Sequence, residues 1–181
     1  MTRNSIENRS FARKTIEYEH ARIHEGYGFD CDIEFTLIGT TPKYYHFKTG
    51  ADEIHLKDIV LTTNKPDIKL YLFKNPTVTL NASPTQETIF NSDDDSPNIS
   101  SMKIYNNSTV TSDGTIRKVY YLSGSSGVGH SSAGEASAYG VWEFILLPNT
   151  SYLIKIVRIV PDGDTTGVFK IRFYEEDETP I

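Results

Sequence analysis

The chain has 181 residues, a formal net charge of −6 and a single cysteine. That length is most simply one domain, able to bury a core without metal or disulfide. Lone Cys31 excludes an intramolecular disulfide, and its apolar neighbours predict a small buried hydrophobe rather than a reactive thiol. No apolar run approaches the ~18 residues of a membrane-spanning helix. The polar start Met1-Thr2-Arg3-Asn4-Ser5 does not read as a signal peptide, so a soluble protein made in a cytoplasm is expected. The Asn-x-Ser/Thr triplets at Asn81, Asn98, Asn107 and Asn149 then carry no weight as glycosylation sites.

Charge is unevenly spread. In residues 1–14, Arg3, Arg9, Arg13 and Lys14 face Glu7 alone, a balance of +3 that leaves −9 for residues 15–181. A basic arm therefore precedes an acidic body, and such an arm suits a negatively charged partner surface or nucleic acid, or is simply a solvated terminus. The acidic stretch Glu175-Glu176-Asp177-Glu178 argues against nucleic-acid binding by the body. Between Phe11 and His24, Ile16, His20 and Ile23 would form a helical stripe. The alternation of Ile16, Tyr18 and His20 suits an extended arm, which is the expectation for residues 1–25.

From Cys31 onward the dominant period is two. Cys31, Ile33, Phe35 and Leu37 alternate with Asp32, Glu34 and Thr36, as in a strand with one face in the core. Gly39-Thr40-Thr41-Pro42 turns the chain, and Lys43 to Thr49 repeats the alternation with Tyr45 and Phe47 inward. In the next strand Ile54 and Leu56 share one parity and Ile59 and Leu61 the other, which predicts a β-bulge near Lys57-Asp58. After the turn Asn64-Lys65-Pro66-Asp67, Ile68, Leu70 and Leu72 form another strand. After Asn75-Pro76 the chain is polar through residue 101, with weak strand candidates at Glu87–Phe90 and Met102–Tyr105. Thr115 to Leu122 resumes strand character, and residues 123–140 read as a long Gly/Ser/Ala loop. Val141 to Leu147, Tyr152 to Val160 and Val168 to Glu175 complete the set, with Pro148-Asn149-Thr150-Ser151 as a tight turn. About eight to ten strands and no long helix predict an all-β fold. The expected architecture is an antiparallel, jelly-roll-like β-sandwich over residues 26–181, preceded by the arm.

Candidate chemistry is sparse. Gly124 to Ser131 approaches a phosphate-binding loop, but His130 stands where lysine is needed and no helix pattern follows. Asp93-Asp94-Asp95 lacks the glycine and distal glutamate of a calcium loop, so a solvated tip is expected. His20 and His24 have metal-pair spacing on a helix but no third ligand nearby. No nucleophile elbow is present and no carboxylate pair stands out. Trp142 reads as core, whereas Tyr105, Tyr120, Tyr121 and Tyr139 flank the variable loops and suit a subunit interface or sugar stacking. No catalytic residue, metal site or cofactor is expected.

Several segments, in order, resemble a family of tailed-bacteriophage virion proteins, small β-sandwiches of the capsid exterior or of head and tail accessories. They are Tyr18 to Gly26, Ile68 to Thr77, Ser112-Asp113-Gly114-Thr115, the Gly/Ser loop 123–140, Leu146 to Ile156, and the ending Phe173-Tyr174-Glu175. The likeness spans about residues 15–175. It implies a non-enzymatic capsid decoration, or cement, protein that binds the major capsid protein on the virion exterior as a homotrimer. Neither nucleic acid nor membrane is an expected partner. Residues 1–14 fall outside the likeness. Their charge and the residues beside them make Arg9, Phe11, Arg13, Lys14 and Tyr18 the expected capsid contacts, with Tyr120, Tyr121 and Tyr139 at the trimer or outer surface. A carbohydrate-binding or host-attachment module, using loop tyrosines and Asp93–Asp95 on host glycans, is the alternative.

Overall fold

The computed structural model describes residues 20–65, 67–122, 144–161 and 163–176, together with the backbone of 134–137. Two antiparallel sheets pack face to face. Sheet A contains β1 (Gly28–Leu37), β3 (Glu53–Thr63), β6 (Phe90–Asn91), β10 (Gly134–Ser137), β11 (Phe144–Leu146) and β13 (Thr165–Glu176). Sheet B contains β2 (Lys43–Lys48), β4 (Ile68–Lys74), β7 (Lys103–Tyr105), β9 (Thr115–Leu122) and β12 (Ser151–Arg158). A separate two-stranded ribbon joins β5 (Thr77–Thr79) to β8 (Thr109–Ser112).

Strand pairing is nested from the outside in. β1 pairs β13, β2 pairs β12, β3 pairs both β11 and β10, and β4 pairs β9. Along the chain β1, β2, β3 and β4 alternate between sheets, and so do β9, β11, β12 and β13. This is a long hairpin wound into two layers, the jelly-roll arrangement that the strand pattern predicts.

The alternation in sequence is the cause. Phe29, Cys31, Ile33, Phe35 and Leu37 of β1 face Tyr45 and Phe47 of β2, Leu70 and Leu72 of β4, and Ile154 and Ile156 of β12 in one core. Aromatic pairs bind it within and across the layers, with Phe29 stacked on Phe173 at 5.6 Å and Tyr45 6.1 Å from Phe169. The expected bulge is present: β13 pairs Arg172 with Asp58 and then Phe173 with Leu56, so Lys57 is the extra residue and the inward parity of β3 switches there. Cys31 is buried in this core, where burial pushes its thiol up to about 12, as the inert reading requires.

Several elements differ from expectation. The weak candidate at Glu87–Phe90 shrinks to β6 and an isolated bridge between Gln86 and Tyr105. β5, β8 and β10 were not anticipated; β5 and β8 are Thr-rich and largely exposed, so no inward face imposes an apolar period on them. Residues 20–24 wind into a helical turn rather than continuing an extended arm. The turn stops in a Schellman motif: the Tyr27 amide donates to Arg22 O and the Gly26 amide to Ile23 O, both at 2.9 Å. Gly26 has φ of 77°, and a Cβ there would meet the Ser96 side chain. Residues 1–19 lie outside the described residues.

Glu175 gathers this end of the sandwich. It continues the inward parity of Phe169, Ile171 and Phe173, so its carboxylate points into the base of the core and is 4% exposed. Oε1 accepts from Ser100 Oγ at 2.6 Å and from the Ser101 amide at 2.9 Å, which Oε2 also reaches at 3.1 Å. Its own amide donates to Tyr27 O at 3.0 Å, and Arg22 Nη2 donates to its carbonyl at 2.6 Å. Removing the carboxylate strands buried donors without water, so Glu175→Ala should lose about 3 kcal/mol of stability. For a chain of this size the midpoint should drop by about 6–12 °C. Glu175→Gln, which keeps an acceptor oxygen, should lose clearly less; equal midpoints for both variants in thermal melts would show that the carboxylate does not hold this loop.

Candidate assembly surface

The two outward faces of the sandwich differ in kind. On sheet A, β1 presents Asp30, Asp32 and Glu34 opposite Arg172, Lys170 and Val168 of β13. Lys170 Nζ lies 2.6 Å from Asp32 Oδ2, in an exposed pair of the sort that contributes little beyond solubility. The face is charged along β1 and β13, while Phe90 of β6 and Ile145 of β11, paired with Asp30 and His55, stand 55% and 44% exposed on it.

Sheet B places aromatic and aliphatic groups outward in rows set by register. One row runs Tyr105, His46, Leu153, Phe73 and Ile116 across β7, β2, β12, β4 and β9. The next runs Tyr44, Lys155, Tyr71 and Val119, and a third Val157, Lys69 and Tyr121. Tyr71 and Phe73 stack at 5.8 Å, and His46 lies 6.1 Å from Tyr105. Lys155 stands 5.5 Å above the Tyr44 ring and is held by Asp113 at 2.6 Å; Lys69 stands 5.8 Å above Tyr121. Cationic stems over rings keep this face apolar in area yet soluble at its rim.

Exposure rises toward the β9 edge. Leu153 is fully buried, whereas Ile116, Val119 and Tyr121 are 50%, 49% and 53% exposed. Among the described residues β9 is the last strand of sheet B, so three apolar side chains stand at the edge of that sheet. A bulge between Leu72 and Phe73 gives β9 its extra residue, Arg117, and keeps both Ile116 and Val119 outward. The turn feeding β9 is tight: Gly114 has φ of 87°, and a Cβ there would come 2.5 Å from Lys74 O.

The expected interface residues divide. Tyr121 is outward, its hydroxyl donating to Asp67 Oδ1 at 3.1 Å. Tyr120, paired with Leu70, turns inward and packs half-buried against the core, which pushes its phenol up; it offers little to an outer surface. Tyr105 is buried beside His46. Arg9, Phe11, Arg13, Lys14, Tyr18, Tyr139 and Trp142 lie outside the described residues, as does all of the loop 123–140 except β10.

The other sequence candidates have local tasks. The Asp93 carboxylate accepts from the Asp95 amide at 3.3 Å and its carbonyl from Ser96, so the acidic tip folds on itself. Nearby, Asn91 Nδ2 donates to Gly26 O at 2.8 Å and Asn98 Nδ2 reaches Glu25 O and Gly26 O at 3.3 Å, tying the polar loop to the helical turn. His20 and His24 sit with Nε2 atoms 3.0 Å apart on that turn. One cluster escaped sequence reasoning because its members are far apart in the chain: Glu53, His55 and Glu176, brought together by β3 and β13.

His46 is the imidazole within the apolar face of sheet B. Burial, and then Lys48, lowers its pKa below the ordinary 6.5, and Nε2 has only Ser151 Oγ at 3.3 Å. Because the folded form resists protonation, its contribution is fully present above pH 6.5 and is lost as pH falls below that value and through its lower folded pKa. Denaturant midpoints should therefore fall between pH 7 and pH 5.5 more steeply for the natural chain than for His46→Phe; parallel slopes would mean that His46 protonates freely in the fold. Comparison with protein-family models and with curated proteins returned no match to the chain.

Proposed function

We propose that the chain is a non-enzymatic structural protein of a phage virion, a capsid decoration or cement protein that binds the outer capsid surface as a homotrimer and stabilises the shell. The observation that carries this reading is the exposed apolar strip Ile116, Val119 and Tyr121 on β9, at the edge of sheet B. An apolar strip beside a strand edge that has no partner among the described residues is a feature that assembling subunits use. In a three-fold ring each copy would set this strip against a different surface of its neighbour, a heterologous contact that closes on itself. The ordered likeness to phage virion proteins, from Tyr18-Glu19-His20 through Phe173-Tyr174-Glu175, supports the same destination.

Capsid attachment falls to the basic arm. Residues 1–14 carry four cations and one carboxylate, and the chain after them is fixed to the sandwich through Arg22, which bonds Glu175 O and lies 4.3 Å from the Tyr27 ring centroid. Three arms on one ring turn a weak contact into a tight one, because the second and third bind at high local concentration.

Two measurements separate assembly from attachment. Size exclusion with light scattering should give a trimer for the natural chain and a monomer for Val119→Glu, whose circular dichroism and melting midpoint should stay close to the natural values because the site is half exposed. Deleting residues 1–14 should leave the trimer intact while abolishing occupancy on capsids. A monomeric natural chain that binds glycans on an array would replace this reading with host-glycan attachment through the same tyrosine-bearing face.

A further inference from the structure

Beyond its part in assembly, the chain brings three metal-ligating side chains to one point on the outer face of sheet A. Glu53 opens β3, Glu176 ends β13, and register sets them directly opposite each other, with His55 opposite Tyr174. His55 Nε2 lies 2.8 Å from Glu176 Oε2 and 3.7 Å from Glu53 Oε2, and the three ligand atoms all fall within 4.8 Å of one another. The imidazole is not a swinging surface group. Its side chain is 8% exposed and lies flat on Tyr174, with centroids 4.6 Å apart and planes 10° from parallel.

Two carboxylates paired across antiparallel strands repel each other. A zinc ion holds nitrogen and carboxylate oxygen ligands at about 2.0–2.2 Å, so tetrahedral ligands stand roughly 3.3–3.5 Å apart. The observed 2.8 and 3.7 Å bracket that spacing. One imidazole with two carboxylates favours zinc over calcium or magnesium, which take shells of oxygen. We propose that Glu53, His55 and Glu176 form a zinc(II) site, with the fourth position open to water. The metal binds bare Nε2 of the neutral imidazole whose one proton sits on Nδ1; an imidazolium first releases its Nε2 proton to solvent. The ion neutralises the opposed glutamates and pins the start of β3 to the end of β13, one residue beyond the Glu175 clamp.

The test is a zinc chloride titration of the full-length chain after chelator treatment and gel filtration. Calorimetry should show one zinc per chain, and saturating zinc should raise the melting midpoint, whereas magnesium and calcium at the same concentration should do neither. Glu53→Gln and Glu176→Gln should each weaken zinc binding by at least about tenfold. His55→Gln should remove the zinc-induced rise in midpoint, whatever it does to the midpoint of the zinc-free protein. Glu53 is the more exposed of the β3 pair, so its variant keeps the test valid if the His55 variant fails to fold. Absence of saturable binding would overturn the proposal. So would binding that survives in His55→Gln and disappears in His24→Asn, which would place the zinc on the His20/His24 pair.

Discussion

The Glu175 carboxylate is the contact on which the lower end of the sandwich depends. β13 runs through the middle of sheet A between β3 and β1, and Glu175 is its last inward residue. There a further apolar side chain would have extended the core. A carboxylate instead captures the amide of Ser101 and the hydroxyl of Ser100, and so brings the polar excursion before β7 down against the base of the barrel-like stack. The backbone of the same residue fixes the helical turn through Arg22 and the approach to β1 through Tyr27. Three stretches with little apolar content of their own thus acquire their positions from one residue.

That clamp also explains the division of labour between faces. With the ends of β1 and β13 tied by buried hydrogen bonds, the outer surface of sheet A can carry charged ladders without weakening the fold, since its exposed pairs add little either way. Sheet B is braced differently. Its first outward row is buried from Tyr105 to Phe73 and opens at Ile116, and the Asp113–Lys155 pair ties the turn before β9 to β12. Cover thins along β9, where Ile116, Val119 and Tyr121 stand exposed beside Arg117 and Lys118.

Much of this was legible in the sequence, for a physical reason. Period-two patterning marks a strand wherever one face meets the core, so the inward sets of β1, β2, β4 and β13 could be read directly, and the parity change in β3 disclosed its bulge. Patterning fails where no face is buried, as in β5 and β8, and where side chains are minimal, as in the Gly-Glu-Ala-Ser of β10. The helical turn at 20–24 is too short to establish a period, yet Gly26 just beyond it was a readable stop. Glu175 was readable too, as the next member of the Phe169, Ile171, Phe173 series. Tyr120 and Tyr121 are adjacent aromatics, and only the register with β4 decides which turns inward.

Nested pairing makes the remaining ambiguity unavoidable. In a wound hairpin the first strand pairs the last, so sites where β13 meets β1 or β3 combine residues far apart in the chain. Glu53 and Glu176 meet because β3 and β13 meet, and nothing local to either glutamate announces the other. The same winding brings β9 to the rim of sheet B only because β4 and β9 form the innermost pair. Local sequence therefore discloses which face of a strand is apolar, while topology decides whether that face is covered. Of the apolar outward residues of β4 and β12, Phe73 and Leu153 are buried and Tyr71 and Val157 half-buried; those of β9, at the sheet's edge among the described residues, remain accessible.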